Sequence, residues 1–364
     1  MAASITLPNL LFTSSLQTLT VHSEEERVNV QIFIKVYGSD TFRSIWDQDY
    51  YTYLDKVDII GVSEIVQNQM QEQCVADIQI ILTGFESLEV SEYFATVIFC
   101  SLETFFSATP GNTIEDFLAS RMLMSSRFYR VGRNTPIQAS FFGGSGTAAL
   151  SYQYRLPEQE FGTFQNVGGS YPSRGLNVRI ATNFEEMNRT YSDSYGDFCQ
   201  CAIYPVDSPK AAVIFVHDPE LDNAPVFMFR NCFGAGEFVA LPAVITDKTD
   251  VNSQEASIAG IPTAYDIEIS RKYEVSVGPL SFDEIGIFRQ LVTSDTVRIR
   301  RVSLRSGSFV WHDILISDIS CEFSDNPEEP QTAKFTFRYK SAASLLDIVP
   351  ASNIFDDNFN HSFD

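Results

Sequence analysis

Residues able to do chemistry are few in this chain, and they are scattered. Four histidines are present, at positions 22, 217, 312 and 361. His217-Asp218 and His312-Asp313 each set an imidazole beside a carboxylate, the partnership a general base needs. Both pairs lie in strand-like runs, where neighbouring residues point to opposite faces, so neither is arranged in advance as a dyad. Cys199 and Cys201, in FCQCAIY, fall on one face of a regular strand. A metal site would need further close ligands. The other cysteines, Cys74, Cys100, Cys232 and Cys321, form no second close pair, so the expectation is two buried thiols. The run Phe141-Phe142-Gly143-Gly144-Ser145-Gly146 is Gly-rich, but no Lys-Ser/Thr follows. It reads as a hairpin turn or loop, not as a phosphate cradle. Asp and Glu total 47, so some pair at glycosidase separation is inevitable and carries no signal. Glu24-Glu25-Glu26 and Glu328-Glu329 read as solvated turns between strands. Asp356-Asp357 lacks the spaced oxygen ligands of a calcium loop. Gly-x-Ser-x-Gly, His-Glu-x-x-His and P-loop motifs are absent from the sequence. The expectation is a protein with no catalytic centre, no metal and no cofactor.

One charged cluster stands out. Arg298, Arg300, Arg301 and Arg305 fall within eight positions of a chain whose formal net charge is −22. Arg298 and Arg300 share a strand face. These four residues are the candidate intersubunit contact, because the planar guanidinium pairs well with carboxylates of an acidic neighbouring copy. The competing reading is an exposed strand whose long side chains guard an edge against mispairing. The overall charge repels a phosphate backbone and disfavours nucleic acid as a partner. No run approaches the roughly 20 apolar residues of a membrane helix, and the start of the chain lacks a basic region with a long apolar core. A soluble protein, not inserted in a membrane and carrying reduced cysteines, is expected.

These residues need elements to hold them. A chain of 364 residues exceeds one ordinary core, and 30 Phe with 15 Tyr favour pleated, half-buried surfaces. The expected fold is mainly β: multidomain, with β-sandwich-like domains and a few short helices. A first domain (1–107) carries strands at 28–37, 42–46, 50–54, 76–82 and 96–100. A helix over 62–70 is predicted by Val62, Ile65, Val66 and Gln69, with Ser63 as its cap. A middle region (108–204) opens on a stretch that reads either as a helix over Ile114, Phe117, Leu118 and Met122 or as an extended connector. Strands follow at 148–155 and 176–181, with long loops at 162–174 and 183–197. A last domain (205–351) carries apolar strands at 211–217 and 224–229 joined by a polar turn, and a long strand over 263–278. Ser281-Phe282-Asp283-Glu284 is a capping box opening a helix to 293. Strands 297–304 and 309–317 flank the hairpin signal Arg305-Ser306-Gly307-Ser308, and 319–324 with 332–340 complete a meander. An acidic tail (352–364) ends the chain.

Phe229–Leu241, FRNCFGAGEFVAL, joins two apolar runs through Asn231, Gly234 and Gly236, which by itself is a turn signal. With its surroundings it resembles the strand, Asn-x-x-Gly, aromatic-strand block of tail structural proteins from tailed bacteriophages of gut anaerobes. Cys232 and Ala235 stand where larger or basic residues are expected. Leu10-Leu11-Phe12, Leu16–Val21 and Tyr50–Met70 resemble the opening β-domain of such proteins. LISDISCEFSDNPEEPQTAKFTFRYK resembles their closing hairpin. The resemblance covers roughly a third of the chain and brings no catalytic residues with it. It implies a structural virion protein of the minor or distal tail, tail tip or baseplate, made in the bacterial host cytoplasm. Its implied partners are its own copies in a ring or tip and other tail proteins, with host surface glycan as a further one. The loops at 162–174 and 183–197 would hook neighbours. The alternative is a carbohydrate- or receptor-binding β-sandwich module using Tyr50, Tyr51 and Tyr53, or Tyr191 and Tyr195, as aromatic platforms.

Overall fold

The computed structural model describes residues 3–36, 39–70, 73–102, 114–142, 147–155, 161–170, 176–181, 183–191, 197–206, 208–258, 261–303, 307–326 and 329–340. It is mainly β, with several sheets and few helices. The expected acidic tail and the expected turn at 143–146 lie outside these residues, as do Arg305, Glu328 and His361.

The first part of the chain forms strands β1 (Ser4–Ile5), β2 (Leu10–Phe12), β3 (Thr18–His22), β4 (Arg27–Val36), β5 (Arg43–Tyr51) and β6 (Lys56–Ile60), helix α1 (Val62–Met70), then β7 (Val75–Gly84) and β8 (Val90–Ile98). Strict alternation in β4 turns Val28, Val30, Ile32 and Ile34 inward, all of them buried. The same holds for Ile78, Ile80 and Leu82 of β7, its antiparallel partner. Each such side chain contributes about 1.5–3 kcal/mol by leaving water. The order β2-β8-β7-β4-β5 makes one sheet and β1-β3-β6 a smaller one, and both line one core with Val62, Val66 and Met70 of α1. Helix α1 has the predicted span, but Ser63 lies inside its first turn and accepts from the Gln67 amide at 3.1 Å. Strand β5 is continuous where two strands were expected. The register places Ile45 as the extra residue of a bulge, so pairing with β4 resumes beyond it.

The next strands are β9 (Phe128–Val131), β10 (Ile137–Phe142), β11 (Thr147–Arg155), β12 (Phe161–Ser170), β13 (Leu176–Ala181), β14 (Asp197–Pro205) and β15 (Val213–His217), with helices α2 (Ile114–Ser120) and α3 (Phe184–Tyr191). They form a sheet ordered β12-β11-β14-β15-β9 and a two-stranded sheet β10-β13. The described residues of the two expected loops are mostly regular structure. Residues 161–170 pair with β11 as an edge strand, since backbone pairing offsets the low β-propensity of Gly and Asn. Within 183–197, Asn183 accepts the Glu186 N–H at 2.9 Å and starts α3. Strand β15 pairs with β14 and β9, so the expected boundary at 204 falls at the end of β14, inside one sheet.

The remaining strands are β16 (Val226–Arg230), β17 (Gly236–Ala240), β18 (Ala243–Ile258), β19 (Ile261–Leu280), β20 (Val297–Val302), β21 (Phe309–Glu322) and β22 (Gln331–Tyr339), with helix α4 (Phe282–Thr293) between β19 and β20. They make one sheet, β17-β16-β20-β21-β22-β19-β18. The capping box forms as predicted between Ser281 and Glu284. Strand β21 runs through both segments expected at 309–317 and 319–324, with a register shift near Asp318, whose φ is +48°. An apolar core runs without interruption from Met122 and Tyr129 through Phe215 and Phe227 to Phe288, Phe335 and Phe337. One long feature escaped the sequence reading. Strands β18 and β19 pair along their whole length, but β19 meets β22 only from Tyr273 onward. Residues 261–272 and their partners therefore run roughly 40 Å past the neighbouring strand as a two-stranded ribbon.

Candidate contact surfaces and the buried junction

The segment 229–241 is buried, and it organises the junction between the parts of the fold. Asn231 accepts the Phe233 and Ala235 N–H groups at 3.0 Å each on its side-chain oxygen. Its amide donates to the Leu123 carbonyl at 3.0 Å and to Glu237 Oε2 at 2.9 Å. Gly234 takes φ +75°, and a Cβ there would meet Arg230 at 3.1 Å and Phe99 at 3.3 Å. Gly234→Ala is therefore expected to cost about 1–2 kcal/mol in urea unfolding, from the left-handed backbone alone. Phe233 and Cys232 pack with Phe12, Ile98 and Cys100 of the first sheet pair, while Ala235 packs with Cys74 and Val75. The Arg230 guanidinium lies 4.8 Å from the Phe99 ring centre.

Glu237 sits at the centre, fully buried. Its Oε1 accepts the Tyr129 hydroxyl at 2.6 Å, and its Oε2 accepts the Ser125 N–H at 3.1 Å. Ser125 Oγ lies 2.9 Å from Glu237 Oε2 and 2.9 Å from Gln290 Oε1. The Gln290 oxygen is fixed by the Cys232 N–H it accepts at 2.9 Å. A serine hydroxyl carries one proton. Both contacts are hydrogen bonds at once when Glu237 is protonated and donates to Ser125. Burial raises the Glu237 pKa in the same sense, against the lowering by Tyr129, Asn231 and Ser125.

Four strongly exposed apolar side chains, Tyr51, Tyr53, Leu54 and Leu88, gather at one end of the first sheet pair. The turn before β4 bridges two others: Thr52 N–H bonds the Glu26 carbonyl at 3.0 Å, Ser23 N–H the Asp55 carbonyl at 3.0 Å, and Phe85 N–H the Arg27 carbonyl at 3.2 Å. Glu24-Glu25-Glu26 form the expected turn between strands, with Glu24 and Glu26 exposed and Glu25 half-exposed. Glu25 accepts from the Ser87 hydroxyl and from the Glu86 N–H at 2.7 Å, which together lower its pKa. Arg27 stacks over Phe85 at 4.2 Å and lies 5.8 Å from the Tyr51 ring. On this frame Tyr53 and Leu54 are each 78% exposed and Leu88 is 74% exposed. Leu54, Asp55 and Leu88 take φ of +52°, +60° and +56°, a conformation strained for side-chain-bearing residues. Hydropathy alone would bury these leucines, so the sequence reading missed them. Of the named platform tyrosines, Tyr51 is 70% exposed, whereas Tyr50 is half-buried and accepts from Trp46 Nε1 at 3.0 Å.

The described arginines of the cluster lie on β20, which pairs with β16 and β21. It is an interior strand, so the edge-guarding reading is withdrawn. Arg298 pairs with Asp313 at 2.8 Å, and Arg301 donates to the Tyr339 hydroxyl at 3.4 Å. Arg300 donates to the Asn134 carbonyl and stacks at 4.2 Å over Phe309. Desolvation lowers its pKa to about 10. Beside these arginines, Val302, Phe309 and Val310 at the hairpin end are exposed.

His217 bonds Asp222 at 2.9 Å rather than its neighbour Asp218, which pairs with Arg130 at 3.0 Å. His312 is buried against Tyr339. Cys201 is buried but Cys199 is only half-buried, because the β11–β14 register skips Cys199 as a bulge and breaks the alternation. Burial pushes the Cys74 thiol up to about 11, and raises Cys100 and Cys232 as well. Among the described residues no three His, Cys, Asp or Glu converge as a metal site, and no helix is long and apolar enough to cross a membrane. An open cleft of about 430 Å3 beside α1 is lined by Ser14, Gln17, Ser63, Glu64 and Gln67, with Glu64 its one carboxylate. Neither a known family model nor a curated protein matches this chain.

Proposed function

We propose that this chain is a structural protein that acts by binding its own copies and neighbouring components, as a tail-tip, baseplate or minor tail part of a bacteriophage virion, rather than by catalysis. The observation that carries the assembly reading is the β18–β19 ribbon. A two-stranded ribbon is marginal in water by itself and gains stability by docking. Such a ribbon suits insertion along a neighbouring copy. The phage assignment rests on the resemblance of 229–241 and of the closing hairpin.

Replacing residues 250–270 by a short turn is expected to leave the circular dichroism spectrum β-rich and the core stability unchanged. The same deletion should shift the protein from oligomer to monomer in analytical ultracentrifugation. An unchanged oligomer would sink the ribbon's role, and a wild-type monomer under all conditions would sink the assembly reading. A glycan-binding reading draws support from the exposure of Tyr51 and Tyr53. Binding on a glycan array that is lost in Tyr53→Ala would favour it.

A further inference from the structure

We propose that copies of this chain join head to tail, with the Arg-bearing β20–β21 hairpin end of one copy seated on the acidic loop end of the next. The proposal rests on the assembly reading and adds to it which two surfaces meet. The two surfaces complement each other in apolarity and in charge. The loop end presents Tyr53, Leu54 and Leu88, with the exposed carboxylates of Asp55, Glu86 and Glu89 on the same turns. The hairpin end presents Val302, Phe309 and Val310 beside Arg298, Arg300 and Arg301. Apolar centres rimmed by opposite charges are what a specific, oriented contact uses.

Two further observations support this pairing. Arg300 is half-buried against Phe309, and its guanidinium donates to the neutral Asn134 carbonyl. An incoming carboxylate would therefore find a cation that has already lost much of its hydration, and a stacked guanidinium is preorganised to receive it. The loop end, for its part, holds three residues in left-handed backbone conformations, fixed by Glu25 and Thr52. A strained, exposed, apolar tip held rigid is a feature of contact sites. The net charge of −22 also matters. Acidic copies repel each other at most orientations, so a local basic patch selects one. A head-to-tail contact of this kind is heterologous, and it closes into a ring or extends as a filament.

A charge-swap experiment tests this. One variant carries Arg298→Glu and Arg301→Glu, and a second carries Glu86→Lys and Glu89→Lys. Glu25 is left in place because it holds the turn. Circular dichroism and thermal midpoints check that both variants fold as wild type. If either fold is lost, Arg298→Gln/Arg301→Gln or Glu86→Gln/Glu89→Gln replaces that pair, and weakened assembly is then the expected result. At about 100 μM, where a micromolar contact is well populated, each swapped variant alone is expected to sediment as a monomer. Mixed one to one they should assemble again, since every acidic surface then finds a basic one on the other variant. Rising salt should weaken the wild-type contact. Assembly of each variant at the wild-type level overturns the proposal while leaving the assembly reading standing. Loss of assembly with no recovery on mixing also overturns it, because charge complementarity would not be the cause. A wild-type chain that stays monomeric overturns both.

Discussion

Glu237→Ala is expected to destabilise the fold by about 3–5 kcal/mol, because several buried donors lose their partner at once. The substitution takes the acceptor from Tyr129 Oη, Asn231 Nδ2 and the Ser125 N–H together. Each buried donor left without a partner costs about 1–3 kcal/mol, partly offset where water refills the space. Urea unfolding followed by fluorescence measures it. A loss under about 1 kcal/mol would mean that the network does not hold the junction. The pH dependence follows from protonation. The folded-state pKa is raised, so the stabilisation is full below the unfolded value of about 4.3 and is lost as pH rises through the folded value. Stability attributable to this group therefore falls with rising pH. Glu237→Gln has no proton to release, so its stability should vary less with pH than that of the wild type above about pH 4.3. An identical pH profile in the two proteins would contradict a protonated Glu237.

The second large effect is expected at Glu284. Its carboxylate receives Arg130 through two bonds, at 2.9 and 3.1 Å, and accepts the Ser281 N–H at 2.7 Å. Arg130 also holds Asp218 at 3.0 Å, and these acidic partners raise its pKa. One side chain thus caps α4 and ties it to β9 and to the turn after β15. Glu284→Ala should cost about 2–3 kcal/mol, less than a fully buried pair, because the Arg130 side chain stays 38% exposed. Glu284→Gln keeps a cap acceptor and loses the ion pair, so about half of that loss is expected. Equal losses in the two variants would place the whole effect in the charge. No loss in either would remove Glu284 from the stabilising set.

How much of this was legible can be judged from particular residues. The alternation of β4 and the spacing of α1 needed only local periodicity, since a strand or helix with one apolar face has one way to bury it. The capping box at Ser281 and Glu284 was legible for the same reason, because its partners are three residues apart. The bulges at Ile45 and Cys199 were not. A bulge is set by the register of the neighbouring strand, which the residue's own segment does not encode. The strand 161–170 was hidden likewise, because its pairing with β11 outweighs its poor propensity.

The candidate surfaces divide in the same way. A mainly β chain with strong acidity, one arginine cluster and a turn at 231–236 were all legible in the residues alone, since these depend on composition and on near neighbours. The packing of distant segments set the rest: β20 is an interior strand, Glu237 meets Tyr129 and Ser125 and Asn231 meets Leu123 from over a hundred residues away, and Leu54 and Leu88 stand in water. The physical reason is burial. A residue's partners and its share of solvent are fixed by which distant segments cover it, and hydropathy states only the preference that such coverage can overrule.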